Sequence, residues 1–379
     1  MPDGESTSYF VGLEIQQSKD KFDVRIGVEG YLTGLVRSVL GENMTEEEWE
    51  TETSSWTAYK FRVPMEAKLM LRPVEEGDKV FHKTEFPYRK VVGGCLWAAN
   101  CRPDISQTIR QLSRFCLKPG KPHVECSVHL LKYLWINREL KMRYSARPTQ
   151  REKSDVNTKQ ANITRDLSHY SAAHYGGKVY KMSEGKWVDQ AQFEALKGMG
   201  IVRDGKIRVE DEERVTEIDP SLLLFQDASY CSLFDYKSVS GTCTMFAHGV
   251  IDFGSHTQSV IATSTMESEV LASHRSTQTL IHTKTLLEEL KECKVNEPTL
   301  SMEDNKSAKT IMAIPGRRKG AKHFELSLAK THEFSQNGHV QYVYCSTHEM
   351  LADFFTKPLD WKTFQKFRDV IFNVETTGD

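Results

Sequence analysis

Four carboxylates stand where apolar runs give way to helix-like segments. Asp227 lies near the end of "LLLFQDASY", a run whose composition predicts a strand. Glu267 falls in the first turn of "STMESEVLASHRSTQTLIHTKTLLEELKE", which reads as one long helix. Asp304 closes the strand-like "TLSMED", and Asp353 opens the helical "LADFFTKPL". Strand tips and helix N-termini are where sites form in α/β sheets. Four acids gathered there would repel one another, and a divalent cation offsets that repulsion. All-oxygen ligands favour Mg²⁺, with Mn²⁺ as a substitute. Two such ions about 4 Å apart activate a water and stabilise the leaving oxygen of a phosphodiester.

Each acid also has a purely structural reading. Ser264-x-x-Glu267 has the form of a capping box. Asp304 can cap a helix starting at Asn305, Asp353 suits the positive end of its helix, and Asp227 can simply end a strand. Spacing alone leaves the catalytic and structural readings open.

The elements that must position these acids follow one order. From Ser221 the runs read strand, strand, strand, long helix, strand, helix, helix, strand, helix. This predicts an α/β fold with a mixed five-stranded sheet and flanking helices. Upstream, "YFVGLEI" and "FDVRIGV" read as a β-hairpin around "QQSKDK", followed by the helix "GYLTGLVRSVLGE". Residues 42–61 are acidic and read as a loop. From Tyr88 to Tyr144 the pattern reads as helical in three pieces, divided by "RPD" and "KPGKP". Residues 146–220 change composition and read as a linker or insertion.

The 379 residues suffice for two or three domains. Net charge is −2, but Lys79–Ser145 holds 13 Lys and Arg against 4 Asp and Glu. That block suits a polyanion or a solvated helical surface. The eight cysteines include no C-x-x-C pair, which points to a reducing, intracellular compartment. No run approaches the ~20 apolar residues of a membrane span. His123, Cys126 and His129 share helical spacing but lack a fourth metal ligand near in sequence. Trp97, Tyr133 and Trp135 read as core rather than as base-stacking platforms. No G-x-S-x-G exists to support serine hydrolase chemistry.

The C-terminal motifs are "DAS" at 227–229, "QSVIATSTMESEVLA" at 258–272, "EDNKSA" at 303–308, "KHFEL" at 322–326 and "LADFFTKPL" at 351–359. In this order they resemble the ribonuclease H domain of copia-type retrotransposon Pol polyproteins. "YFVGLEI" at 9–15, "YRKVVGGCLWAANCRPDISQTIRQLSRFCLKP" at 88–119 and "HLLKYL" at 129–134 resemble the end of the same family's reverse transcriptase.

The resemblance implies a ribonuclease H-like fold preceded by a small, mainly helical thumb or connection region with an N-terminal β-hairpin. It divides the chain into a palm remnant (1–78), helical thumb or connection (79–145), linker or insertion (146–220), ribonuclease H domain (221–360) and C-terminal helix and tail (361–379). It implies an endonuclease that cuts the RNA strand of RNA–DNA hybrids with two Mg²⁺ ions held by Asp227, Glu267, Asp304 and Asp353. His348 would assist product release. Arg317, Arg318, Lys319, Lys322 and His323 would grip backbone phosphate. The implied partners are the hybrid and an upstream part of the reverse transcriptase, without membrane or small-molecule cofactor, in the cytoplasm.

Some residues depart from the family pattern. Y-x-D-D is absent, so polymerase activity is not expected of this chain. Ser229 stands where a second Asp is usual, Val270 replaces a common Tyr, and "FGSHTQ" lacks the Trp and Lys of W-x-S-x-K-x-Q. The alternative is a folded, catalytically inactive nucleic-acid-binding remnant. A transposase or integrase of the same fold fits less well, because its glutamate would come last.

Overall fold

The computed structural model describes residues 6–19, 23–67, 69–145, 222–246, 249–290, 298–313 and 324–374, with five short backbone strands between 172 and 207. In the N-terminal part, β1 (Ser6–Phe10), β2 (Leu13–Gln17), β3 (Asp23–Gly27) and β4 (Met142–Ser145) form an antiparallel sheet in that order. "YFVGLEI" is therefore two strands. Val11 and Gly12 both have positive φ, the geometry of a two-residue hairpin turn. The strand β4 extends the expected hairpin from 120 positions away, with Arg143 donating to Asp23 at 3.0 Å.

The N-terminal helices are α1 (Glu29–Leu40), α2 (Glu46–Ser54), α3 (Tyr88–Ala98), α4 (Ser106–Ser113) and α5 (Lys121–Ile136). Helix α2 occupies the segment expected to be a loop. Thr45 and Glu48 form a reciprocal capping box, and buried Trp49 packs edge-on against Trp56 and Trp135. Between α3 and α4, fully buried Arg102 forms a two-pronged ion pair with Asp104, which also accepts from Tyr133 at 2.6 Å. "RPD" breaks one helix and anchors the next turn to α5. Tyr133 is fully buried, in keeping with its core reading.

The C-terminal part is α/β. Its strands are β5 (Leu223–Ser229), β6 (Val239–Phe246), β7 (Gly249–Thr257), β8 (Thr299–Glu303) and β9 (Val340–Tyr344). They lie in the order β7-β6-β5-β8-β9. The first three strands pair antiparallel, while β5, β8 and β9 run parallel. The helices are α6 (Thr265–Glu289), α7 (Lys306–Ala313), α8 (Glu325–Gln336), the short α9 (Asp353–Thr356) and α10 (Trp361–Ile371). This is the expected mixed five-stranded sheet with flanking helices, and its elements come in the expected order.

One hydrophobic core lies between the sheet and α6, α7 and α8, around Leu224, Val270, Leu280, Ile311 and Phe334. A second core is shared by the two parts and joins Leu130, Tyr133 and Leu134 to Phe225, Phe355, Phe364 and Phe367. Hydrogen bonds cross the same boundary. Tyr144 Oη donates to Val250 O at 2.9 Å, and Arg143 N donates to Phe372 O. Among the described residues, no helix is long and apolar enough to cross a membrane.

Candidate functional site

The parallel strands β5 and β8 carry their acids to the same end of the sheet. In β5, "LLFQDAS" alternates so that Gln226 and Asp227 are both buried but point to opposite faces. Asp304 follows β8 directly. Asp353 opens α9, which packs against β5 and β6.

Gly241 permits that approach. It pairs with Asp227 in the β5–β6 ladder, and a Cβ there would stand 2.6 Å from both Ala352 O and Thr356 Cγ2. With only hydrogen at this position, α9 settles onto the sheet and Thr356 Oγ1 donates to Asp227 Oδ2 at 2.6 Å. The connecting turn fixes the neighbouring acid, because Thr347 Oγ1 donates to Asp304 Oδ2 at 2.8 Å.

Asp227, Glu269 and Asp304 each offer an oxygen within 4.8 Å of the others, the one such group among the described residues. The glutamate in this cluster is Glu269 rather than Glu267. Both side chains are buried, but two residues along a helix turn the side chain to a different face. Ser264 Oγ accepts from Glu267 N, and the Glu267 carboxylate accepts from Thr263 N and Oγ1 at 2.7 and 2.8 Å. First-turn position and motif resemblance point to Glu267, which here caps its helix, while the face that meets Asp227 and Asp304 carries Glu269. Glu269 shares a face with Val270, Ser273, Ser276 and Leu280, all buried, and that stripe would have singled it out.

Asp353 joins from the other side. Burial and neighbouring Asp227 raise its pKa to about 8, although Lys357 opposes the shift. Lys357 Nζ lies 2.8 Å from Asp353 Oδ1. Burial would lower the lysine's pKa, but Asp227, Asp353 and Asp304 outweigh it and hold the ammonium charged. Behind the cluster, Glu303 is 0 % exposed and accepts from Asn305 N at 3.0 Å.

Glu269, Glu303 and Asp304 all have raised pKa values, with burial the leading cause. Mutual repulsion among the acids adds to it. Glu269 Oε2 and Gln226 Oε1 are buried without a hydrogen-bond partner. Buried, mutually repelling carboxylates with an orphaned oxygen suit a divalent cation.

The remaining candidates divide. His348 is exposed in the turn beside Thr347, and its carbonyl accepts from Lys366 at 2.7 Å. Arg317, Arg318, Lys319, Lys322 and His323 lie outside the described residues. His123 Nδ1 accepts from Gly120 N and its ring stacks on Phe115, while His129 Nε2 lies 2.9 Å from Val63 O. Neither histidine belongs to a group of candidate metal ligands among the described residues.

No protein-family model matches the chain. It is homologous to copia-type retrotransposon Pol polyproteins. It is 23% identical over 369 residues to the retrovirus-related Pol polyprotein from transposon RE1 of Arabidopsis thaliana, covering 97% of this chain and 19% of that polyprotein. It is 30% identical over 175 residues to the transposon Ty1-H Gag-Pol polyprotein of Saccharomyces cerevisiae, covering 46% and 10%. The chain thus spans a fifth or less of these relatives' length.

Among solved structures it is similar to LC11-RNase H1, isolated from compost, with TM-score 0.29 and 12% identity. That match covers 39% of this chain and 97% of the other. The N-terminal RNase H domain of a Mycobacterium tuberculosis protein gives TM-score 0.28 and 6% identity, covering 39% and 96%.

Proposed function

We propose that the chain is a divalent-metal-dependent endonuclease that cuts the RNA strand of RNA–DNA hybrids. The carrying observation is the meeting of Asp227, Glu269 and Asp304 within 4.8 Å at the sheet edge where Asp353 also lies. Asp227, Glu269 and Asp304 would hold one ion, and Asp227 with Asp353 the other. Glu269 takes the role that the motif resemblance had given to Glu267. Bound there, the ions supply water activation and charge stabilisation at the scissile phosphodiester.

The chain's own residues perform the positioning. Thr356 and Thr347 fix the carboxylates of Asp227 and Asp304, so these acids lose little freedom when they ligate. Lys357 favours the ionised form of Asp353, the form needed for ligation. His348 stands on the exposed side of the same turn, where it can exchange a proton with the departing product. The 2′-hydroxyl distinguishes the RNA strand from DNA.

The test uses a labelled RNA–DNA hybrid and Mg²⁺, with the unsubstituted chain and Asp304→Asn side by side. Cleavage confined to the RNA strand and lost in Asp304→Asn supports the reading. Equal cleavage by both proteins, or none by either, overturns it.

A further inference from the structure

The basic residues from Lys79 to Ser145 are for the most part already neutralised. Eight of the 13, Lys79, Arg102, Arg114, Lys121, Lys132, Arg138, Lys141 and Arg143, have a carboxylate within 4 Å. Arg110, on α4, has no carboxylate partner among the described residues. Its Nε donates to Ser255 O at 2.7 Å, and one terminal nitrogen lies 2.9 Å from His256 Nδ1. Arg275, exposed on α6, brings a terminal nitrogen to 3.4 Å from the same Nδ1. It too has no carboxylate partner among the described residues.

Two guanidiniums therefore converge on one imidazole nitrogen, within about 6 Å of each other. That nitrogen must accept, so the ring is neutral and offers no charge compensation. Burial and the two arginines keep the imidazole pKa near 4. Burial and Arg275 also lower that of Arg110. The fold holds two like charges together, and neither has a carboxylate partner among the described residues. The forked donors of a guanidinium match a phosphate's oxygens.

The location identifies which phosphate. His256 pairs with Ser240, which pairs with Ala228, the residue after Asp227. His256 is thus at the same level of the sheet as Ala228 and two strands away, about 10 Å at ordinary strand spacing, with its side chain on the face opposite to that of Asp227, the face α6 covers. Each strand of a duplex carries a phosphate about every 3.4 Å along its axis. A hybrid backbone that passes the carboxylate end of the sheet, where Glu269 of α6 also lies, would bring a phosphate to this level. The arginines come from opposite sides of the junction between the N-terminal part and the sheet.

We propose that Arg110 and Arg275 form a phosphate-binding station for the hybrid backbone, with His256 as the neutral spacer that orients them. The assignment rests on the hybrid-cleaving reading of the acid cluster. It adds a contact shared between the helical region and the sheet.

The test measures hybrid binding by fluorescence anisotropy across a series of NaCl concentrations. The full chain carries Asp304→Asn, so that the hybrid stays intact. Adding Arg275→Ala should weaken binding several-fold at low salt and reduce the slope of log Kd against log salt by about 0.9, the share of one phosphate contact. Arg275→Glu should weaken binding further, and Arg275→Lys should restore the slope. Because Arg275 is exposed, the thermal midpoint should not move. Superimposable slopes for Arg275→Ala, Arg275→Glu and the parent would overturn the station alone. No hybrid binding by the parent would overturn the hybrid reading and the station together.

Discussion

Thr356 reaches across 129 positions of sequence to hydrogen-bond Asp227 Oδ2 at 2.6 Å, and both side chains are buried. The contact ties the opening of α9 to the tip of β5. It orients the carboxylate shared by the two proposed ion positions. Thr356→Val keeps the shape and removes the donor. Cleavage should fall between about tenfold and a hundredfold, since small misplacements at a reacting centre have costs of that size. Hybrid affinity should change little, and Thr356→Ser should recover most of the rate. Single-turnover cleavage and anisotropy measured on the same proteins separate the two effects.

Gly241 sets the distance at which that bond forms. A methyl group there would meet Ala352 O and Thr356 Cγ2 at 2.6 Å, and the first of these is backbone that cannot rotate aside. Gly241→Ala should push α9 outward, destabilise the chain by about 1–3 kcal/mol as overpacking does, and reduce cleavage more than Thr356→Val. Urea denaturation supplies the stability, and rate measurements at a temperature where the variant remains folded supply the rest. An unchanged rate would mean that α9 does not need this approach.

Glu267 and Glu269 should respond oppositely to amide substitution. Glu269→Gln removes a charged oxygen from the Asp227–Asp304 cluster, and cleavage should fall at least a hundredfold. Glu267→Gln keeps an oxygen that can accept from Thr263, so activity should survive with a stability loss of about 1 kcal/mol. Mg²⁺ affinity, measured by calorimetry, should weaken only in Glu269→Gln.

This pair shows how far the sequence could be read. Asp227, Asp304 and Asp353 were legible because strand ends and helix starts are local signals, and the element order from Ser221 followed from periodicity. First-turn position points to Glu267, but which of two glutamates in one helix joins Asp227 and Asp304 depends on the face turned to the sheet, and that face carries Glu269. The strand at Met142–Ser145 pairs with Asp23–Ile26, and no local pattern announces a partner so distant. Helix α2 was legible in principle through Thr45-x-x-Glu48, but its acidic composition concealed Trp49, the residue that anchors it. The Arg110–His256–Arg275 grouping draws on three separate elements and had no sequence signature.

The acid cluster also sets the direction of a pH dependence. Asp353 titrates near 8 in the folded chain and near 4 when unfolded. Its protonated form is therefore favoured by folding. The resulting stabilisation is complete below about pH 4 and is lost as pH rises towards 8, with a slope of up to about 1.4 kcal/mol per pH unit. Glu269 and Glu303 shift the same way. In EDTA, the thermal midpoint should fall between about pH 5 and pH 8. Mg²⁺ should reduce the fall by stabilising the ionised carboxylates, and Asp353→Asn should flatten part of it. A midpoint that rises over this range in EDTA would contradict the buried, repelling arrangement.

Phe364 links the two parts of the molecule. On α10, its ring stacks on Phe354 with centroids 4.9 Å apart and meets Tyr133 of α5 edge-on at 6.1 Å. Tyr133 in turn donates to Asp104, so one apolar contact connects the C-terminal helix to the Arg102–Asp104 pair. A core shared in this way should not melt in two stages. Phe364→Ala should destabilise the whole chain by about 3–5 kcal/mol, the range for truncating a buried aromatic. Tryptophan fluorescence, to which the N-terminal part contributes Trp49, Trp56, Trp97 and Trp135 of the chain's six tryptophans, should report the same urea midpoint as the helical circular dichroism signal from both parts. Both midpoints should fall together in Phe364→Ala. If fluorescence and dichroism separate in the parent chain, the two parts fold independently and the shared core does not couple them.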